Sequence, residues 1–123
     1  MIKVLKQNEI LAMMIDCPNC TKGTKVKLGQ KWVLMPTGAA TLALRTGARL
    51  IPCGLFRTSN STFQGIFGKP IEYHPTGIVA DDVRGLTQCT IKVLEDLTKL
   101  SLDQWYVFHS LIKDELQTAS KTT

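Results

Sequence analysis

An α/β domain with a mixed sheet covered by helices is what the sequence predicts, and three stretches predict it. Residues 34–55, LMPTGAATLALRTGARLIPCGL, read as a short helix feeding a strand. Residues 10–15, ILAMMI, form a continuous apolar run of strand length, as expected of a central strand covered on both faces. From position 83 to position 100 apolar residues recur at spacings of three and four, the pattern of a helix with one buried face.

Taken in order, residues 2–7 are apolar at Ile2, Val4 and Leu5 and fit either the end of a helix or a first strand, with Asn8 and Glu9 as the turn after it. Asp16 then ends the apolar run. A carboxylate at the C-terminal end of a buried strand, before a loop holding Pro18, Asn19 and Gly23, is where open α/β sheets place ligand groups. A plain turn-forming Asp is the alternative. Residues 22–35 alternate at Val26, Leu28, Trp32 and Leu34 and break at Gly29, which predicts an extended, partly exposed segment. Lys25 and Lys27 flank Val26 on the opposite side, where they can meet a phosphate or simply remain solvated lysines of a surface hairpin. Trp32 fits packing or an interface.

Thr37 is placed to cap the helix that follows, and Gly47 stands where a left-handed stop is wanted. Ala39, Ala40 and Ala43 permit close approach to what lies beneath, while Leu42 and Leu44 supply larger contacts. Residues 50–56 are apolar enough for a buried strand, which Pro52 and Gly54 end or bend. The polar TSNST at 58–62 and a strand at 63–67 with Gly65 inside it suggest a hairpin. Gly68, Lys69 and Pro70 turn the chain into Ile71 and Tyr73, and His74 belongs to a loop with Pro75, Thr76 and Gly77. Asp81 is the expected cap of the long helix, and Asp82 favours its N-terminus. Val83, Leu86, Thr90, Val93, Leu97 and Leu100 line one face, widened by Ile91 and Leu94, and Gly85 costs the helix about 1 kcal/mol relative to Ala. After a break at 101–103 the aromatic group Trp105, Tyr106, Phe108 and His109 docks on the core or sits at a membrane interface.

The net charge of +5 is unevenly spread. Between positions 17 and 71 stand eight cations, Lys22, Lys25, Lys27, Lys31, Arg45, Arg49, Arg57 and Lys69, and no acid; from Glu72 onward five cations meet eight acids. A basic middle suits an anionic partner such as lipid phosphate or an acidic carrier protein, or is a solvated Lys-rich surface. No recognised nucleic-acid motif or basic helix accompanies the charge, so no nucleic acid is expected. Cys17 and Cys20 form a single CPNC with no second ligand pair at metal spacing, so no metal site is predicted, and Cys53 and Cys89 read as ordinary thiols of a reducing compartment. The longest wholly apolar run is far shorter than the ~20 residues of a membrane-spanning helix, and no secretory leader is read at the start.

Five pieces in sequence carry a resemblance: the apolar run ending in Asp16, PTGAATLALRTGA at 36–48, LIPCG at 50–54, GKP at 68–70 and QWYVFH at 104–109. In their order and spacing the chain resembles the bacterial lipid A type acyltransferases of the lysophospholipid acyltransferase superfamily. Members carry a His and, after four intervening residues, an Asp or Glu, well before the strand corresponding to residues 10–16. No His precedes Asp16 here. The resemblance therefore implies the C-terminal part of an acyltransferase domain, residues 1–115, followed by a polar tail at 116–123. A piece of a larger sheet would expose apolar edges, so dimerisation or aggregation is expected of it.

By the same resemblance, the intact family uses the His as general base on an acceptor hydroxyl, and the alkoxide attacks an acyl thioester on acyl-carrier protein or coenzyme A. No bound cofactor is implied. The expected acceptor is an anionic lipid or glycolipid, and the expected location is the cytoplasm, with peripheral contact at the cytoplasmic face of the inner membrane. Acceptor-binding candidates are Asp16, Lys25, Lys27 and Thr37, the last at a helix start whose free amides can hold an anion. Cys17 stands where the family often carries Gln. HSLIKD, from His109 to Asp114, satisfies the His-x4-acid pattern literally. On a continuous helix those side chains point roughly 140° apart, and the position is that of the family's Trp-to-His segment, so no catalytic residue is assigned. A non-catalytic basic module that binds anionic membrane or an acidic protein is the rival reading.

Overall fold

The computed structural model describes residues 1–17 and 21–105. The expectations on Pro18, Asn19, Cys20, the aromatic residues after Trp105, HSLIKD and the polar tail lie outside these residues. The α/β class holds, but the strands form two separate antiparallel hairpins where a single mixed sheet was expected.

The first helix, α1, is the five residues Ile2–Lys6. Asn8 ends it with φ 61°, and the amides of Asn8 and Glu9 reach back to the carbonyls of Leu5 and Val4. That is the Schellman closure, with Asn in the left-handed position it tolerates better than most residues. The expected central strand at 10–15 is absent. Its residues adopt no regular structure, and Ile10 and Met14 are 95% and 90% exposed. Apolar character alone does not make a strand: a ladder needs a neighbour, and among the described residues no strand pairs with this segment.

Strands β1 (Thr24–Leu28) and β2 (Lys31–Met35) pair in the register Val26 to Val33 and Lys27 to Trp32. Gly29, at φ 57°, takes the first of two turn positions, where a side chain would be strained. The period-2 alternation then sends Val26, Leu28, Val33 and Met35 inward against Ile91, with Leu94 and Trp105 packed at the margin. Lys25, Lys27 and Trp32 point the other way.

Helix α2 (Gly38–Thr46) ends as expected at Gly47, with φ 73° and its amide donating to the Ala43 carbonyl at 2.8 Å. Its start is a correction. Thr37 occupies the cap position, but its hydroxyl makes no capping bond, because φ −98° and ψ 1° are not the extended geometry that aims a capping oxygen at the helix amides. Ala40 and Ala43 are buried with Leu86, as their small size predicts, and Leu44, Leu50, Ile71 and Tyr73 complete this second cluster.

Strands β3 (Cys53–Arg57) and β4 (Phe63–Phe67) form the second hairpin, closed by the Thr58 amide on the Thr62 carbonyl at 2.8 Å and by contact between the two hydroxyls. The buried strand expected at 50–56 is thus shorter and lies at a surface, with Leu55 69% exposed. Pro52 cannot donate to a ladder, so the strand starts after it, although its carbonyl still accepts from Gly68 at 2.8 Å.

Helix α3 (Val79–Thr98) spans 20 residues and touches both clusters, Leu86 in one and Ile91 in the other. Its cap is Ile78, one more correction: Asp81 lies inside the first turn and pairs with Arg84. The buried stripe runs through Leu86, Thr90 and Ile91, whereas Leu100 falls past the helix end and is exposed. A 3-10 turn, Leu102–Gln104, follows.

Two glutamines tie the hairpins down. The Gln88 amide accepts from the Lys27 backbone N–H at 2.7 Å and donates to the Lys27 carbonyl at 2.9 Å. Gln104 does the same to Arg57, at 2.6 and 2.9 Å.

Candidate functional site

Two hollows flank α3, and the candidate residues divide between them. The first, about 260 Å³, lies between β3, the segment Met13 to Asp16 and the C-terminal half of α3. Its wall is mainly apolar, from Met13, Leu55, Phe56, Leu94, Leu97 and Trp105, and its polar groups are Asp16, Thr98, Ser101 and Gln104. The sequence folds this way because β3 turns one edge toward α3: Arg57 gives its main-chain groups to Gln104, and by alternation those of Leu55 and Cys53 face the same side. Asp16 is half-buried at this hollow. Trp105 lines this hollow, and its indole N–H is buried without a hydrogen-bond partner among the described residues.

The second hollow is an open groove of about 720 Å³ between the first hairpin and the N-terminal half of α3. Thr24, Lys25, Trp32, Arg84, Gly85 and Gln88 line it. Arg84 and Gln88 share a helix face at i, i+4, and Gln88 fixes that face against β1 through Lys27. The groove thus has two cations, one exposed indole and a rigid floor.

Asp16 therefore belongs to the apolar hollow and Lys25 to the basic groove. Lys27 stands across from Trp32 on the outer face of the hairpin. Thr37 lines neither hollow; beside it, the Met13 methyl lies 3.2 Å from where a Cβ on Gly38 would stand, which partly covers the helix start. Arg84 and Gln88 are site residues the sequence did not single out; Trp105 was read only as an aromatic docked on the core or at a membrane interface, and it packs against the first core cluster. The i, i+4 spacing of Arg84 and Gln88 was visible, but nothing in it indicated that Lys25 would be opposite.

A third polar cluster is structural. The buried Asp82 carboxylate accepts from the Thr76 amide at 2.7 Å, the Thr76 hydroxyl at 2.8 Å, the Gly77 amide at 3.1 Å and the Tyr73 hydroxyl at 3.2 Å. The Thr76 amide, more than any other partner, holds its pKa below the ordinary carboxylate value, with burial opposing. The Tyr73 hydroxyl is pushed up, first by burial and then by the same carboxylate. All four donors are spent on one acceptor, so the cluster holds the 73–77 loop to the start of α3. His74 is exposed beside it.

Among the described residues no group of three or more His, Cys, Asp or Glu is arranged to hold a metal ion. Cys17 and Cys53 are exposed free thiols and Cys89 is partly buried. No helix among those residues is long and apolar enough to cross a membrane.

The model of the bacterial lipid A biosynthesis acyltransferase family matches residues 1–114. The chain belongs to that family. The matched range includes every residue that lines the two hollows and all five motif pieces. No curated protein and no solved structure matches the chain.

Proposed function

We propose that this lipid A acyltransferase family domain serves transfer of an acyl chain from an acyl thioester, on acyl-carrier protein or coenzyme A, to a hydroxyl of a glycolipid or lysophospholipid. The family match over residues 1–114 is the observation that carries the reading. In such a transfer the acceptor oxygen bonds to the acyl carbon as the carbon–sulfur bond breaks. A His removes the hydroxyl proton and returns it to the departing thiolate. The His-x4-acid pair for that step does not occur before Asp16, and HSLIKD lies at the wrong end, so residues 1–123 contribute binding and are inactive by themselves.

The apolar hollow is suited to hydrocarbon, with Asp16 at its polar margin. Lys25 and Lys27 on the first hairpin are the groups offered to acceptor phosphate; Thr37, away from both hollows, is not among them. The basic outer face of the first hairpin also favours the second reading, a non-catalytic module bound to an anionic surface.

Acyl transfer from a long-chain thioester to lysophospholipid and lipid A precursor acceptors, by the chain and by its His109→Ala variant, tests the reading. Both are expected to be inactive. A long-chain acyl thioester should nevertheless slow alkylation of Cys53, which lines the hollow, relative to Cys17, which does not. Activity that depends on His109, or equal alkylation of both thiols with and without thioester, would overturn it.

A further inference from the structure

We infer that the outer edge of β4 pairs with the same edge of a second copy of this chain, in an antiparallel ladder centred on Gly65. The register of the second hairpin decides which main-chain groups are available. The Thr58 amide bonds to the Thr62 carbonyl and the Gly68 amide to the Pro52 carbonyl, so by alternation Gln64 and Ile66 spend their groups on β3, whereas Phe63, Gly65 and Phe67 direct theirs away from it. Among the described residues no hydrogen bond reaches those outward donors and acceptors. Phe63 and Phe67 are 62% and 73% exposed, and Leu55 is exposed on the same face of the hairpin. No Pro and no charge stands within FQGIF, so β4 carries none of the devices that turn an incoming strand aside.

The symmetry of the strand itself favours a second copy as the occupant. Phe63 and Phe67 stand two residues either side of Gly65, so a two-fold axis there sets each Phe63 against the partner's Phe67 and Gly65 against its own counterpart. Every outward N–H and C=O of the three residues then finds a partner, and two aromatic pairs form on the exposed face. Gly inside a strand marks a place where another backbone can come close, and the Phe67 ring already lies over it, 3.7 Å from where a Cβ would stand. Charge permits the approach although each chain carries +5. Arg57, the cation on this face, and its counterpart fall at opposite corners of the four-stranded sheet, about 20 Å apart, roughly twice the Debye length in 0.1 M salt. From their exposure the two rings of one copy offer roughly 200–340 Å², so two copies fall short of the ~1,200 Å² of a lasting complex, and the area supports a concentration-dependent dimer. Growth beyond two copies is opposed, because the far edge of β3 faces α3 and Arg57 there gives its main-chain groups to Gln104.

This pairing does not depend on the acyltransferase reading, and failure of either leaves the other standing. Sedimentation velocity of the chain, from micromolar to millimolar concentration, should show a monomer–dimer equilibrium. Phe63→Glu and Phe67→Lys fall at exposed positions, and each is checked for folding by circular dichroism. Each should weaken the dimer roughly tenfold or more, since one substitution removes both aromatic pairs. Combined in one chain, the two substitutions set opposite charges across the axis, and the dimer should return in part; the antiparallel register centred on Gly65 is what brings them together. Gly65→Pro should leave a monomer, because it deletes an outward N–H and none of the hairpin's own. A monomer at every concentration, a dimer that the folded single variants or Gly65→Pro retain, or one that the double variant fails to restore would overturn the inference. So would assembly that continues past two copies.

Discussion

Asp82 is the residue on which the loop before α3 depends. Four donors converge on its carboxylate, so Asp82→Asn replaces an acceptor with an amide N–H that must face another N–H, from Gly77 or Thr76. The expected result is a fall in Tm of roughly 5 °C or more at neutral pH, read by thermal unfolding. Its pH dependence has a definite sign. The folded pKa lies below the ordinary 3.8, so the stabilisation is fully present above that value and is lost as pH falls through the folded pKa. Asp82→Asn should flatten this acid limb. Tyr73 works in the opposite sense: its pKa is raised above 10.0, so its contribution is present below that value and is lost as pH rises through the folded pKa. The sequence placed Asp82 at a helix start and gave Tyr73 no role. The convergence of loop amides on one oxygen pair depends on backbone positions that no spacing rule encodes.

At the scale of the element, α3 shows how a local penalty can be a tertiary requirement. Gly85 weakens the helix by about 1 kcal/mol relative to Ala. Yet a Cβ there would lie 2.5 Å from the Tyr73 hydroxyl oxygen and 3.0 Å from its ring. Overpacking of that kind costs ~1–3 kcal/mol, which exceeds the gain in propensity. Gly85→Ala is therefore expected to lower stability in denaturant titration, and Tyr73→Phe in the same chain should recover part of the loss. Helix existence was legible because the 3.6 period across Leu86, Thr90 and Ile91 is unambiguous, and period 2 held at Val26 and Leu28; on the second strand the alternation was read at Trp32 and Leu34, whereas Val33 and Met35 are the buried pair, because every residue from Trp32 to Met35 is apolar and the run carries no phase of its own. Residues 10–15 failed for a reason of the same kind. An apolar run has no period, so it does not distinguish a paired strand from an irregular segment, and partner availability decides.

For the whole molecule, α3 is the member shared by two otherwise separate clusters, one with the first hairpin and one with α2. Ile91 is 1% exposed, and Ile91→Ala should cost about 2–5 kcal/mol. Because the helix is shared, the loss should appear at the same denaturant midpoint in Trp fluorescence and in hydrogen exchange of α2 amides, which are remote from the substitution. Separate midpoints would mean that the clusters unfold independently. The candidate site was only partly legible at this scale. Asp16 and Lys25 were read from local chemistry, but their separation into an apolar hollow and a basic groove follows from α3 running between them, which the sequence pattern does not contain.

A glutamine side chain ends in the same donor and acceptor as a peptide group, so Gln88 and Gln104 each act as a strand one residue long. Each occupies one rung of a sheet edge that would otherwise template an incoming strand. The edges are latched rather than sealed, and the latch has a chemical weak point. Deamidation converts the donor nitrogen to a carboxylate oxygen, which repels the Lys27 or Arg57 carbonyl it formerly held. Ageing of either amide would therefore free that rung of the β1 or β3 edge without altering the core.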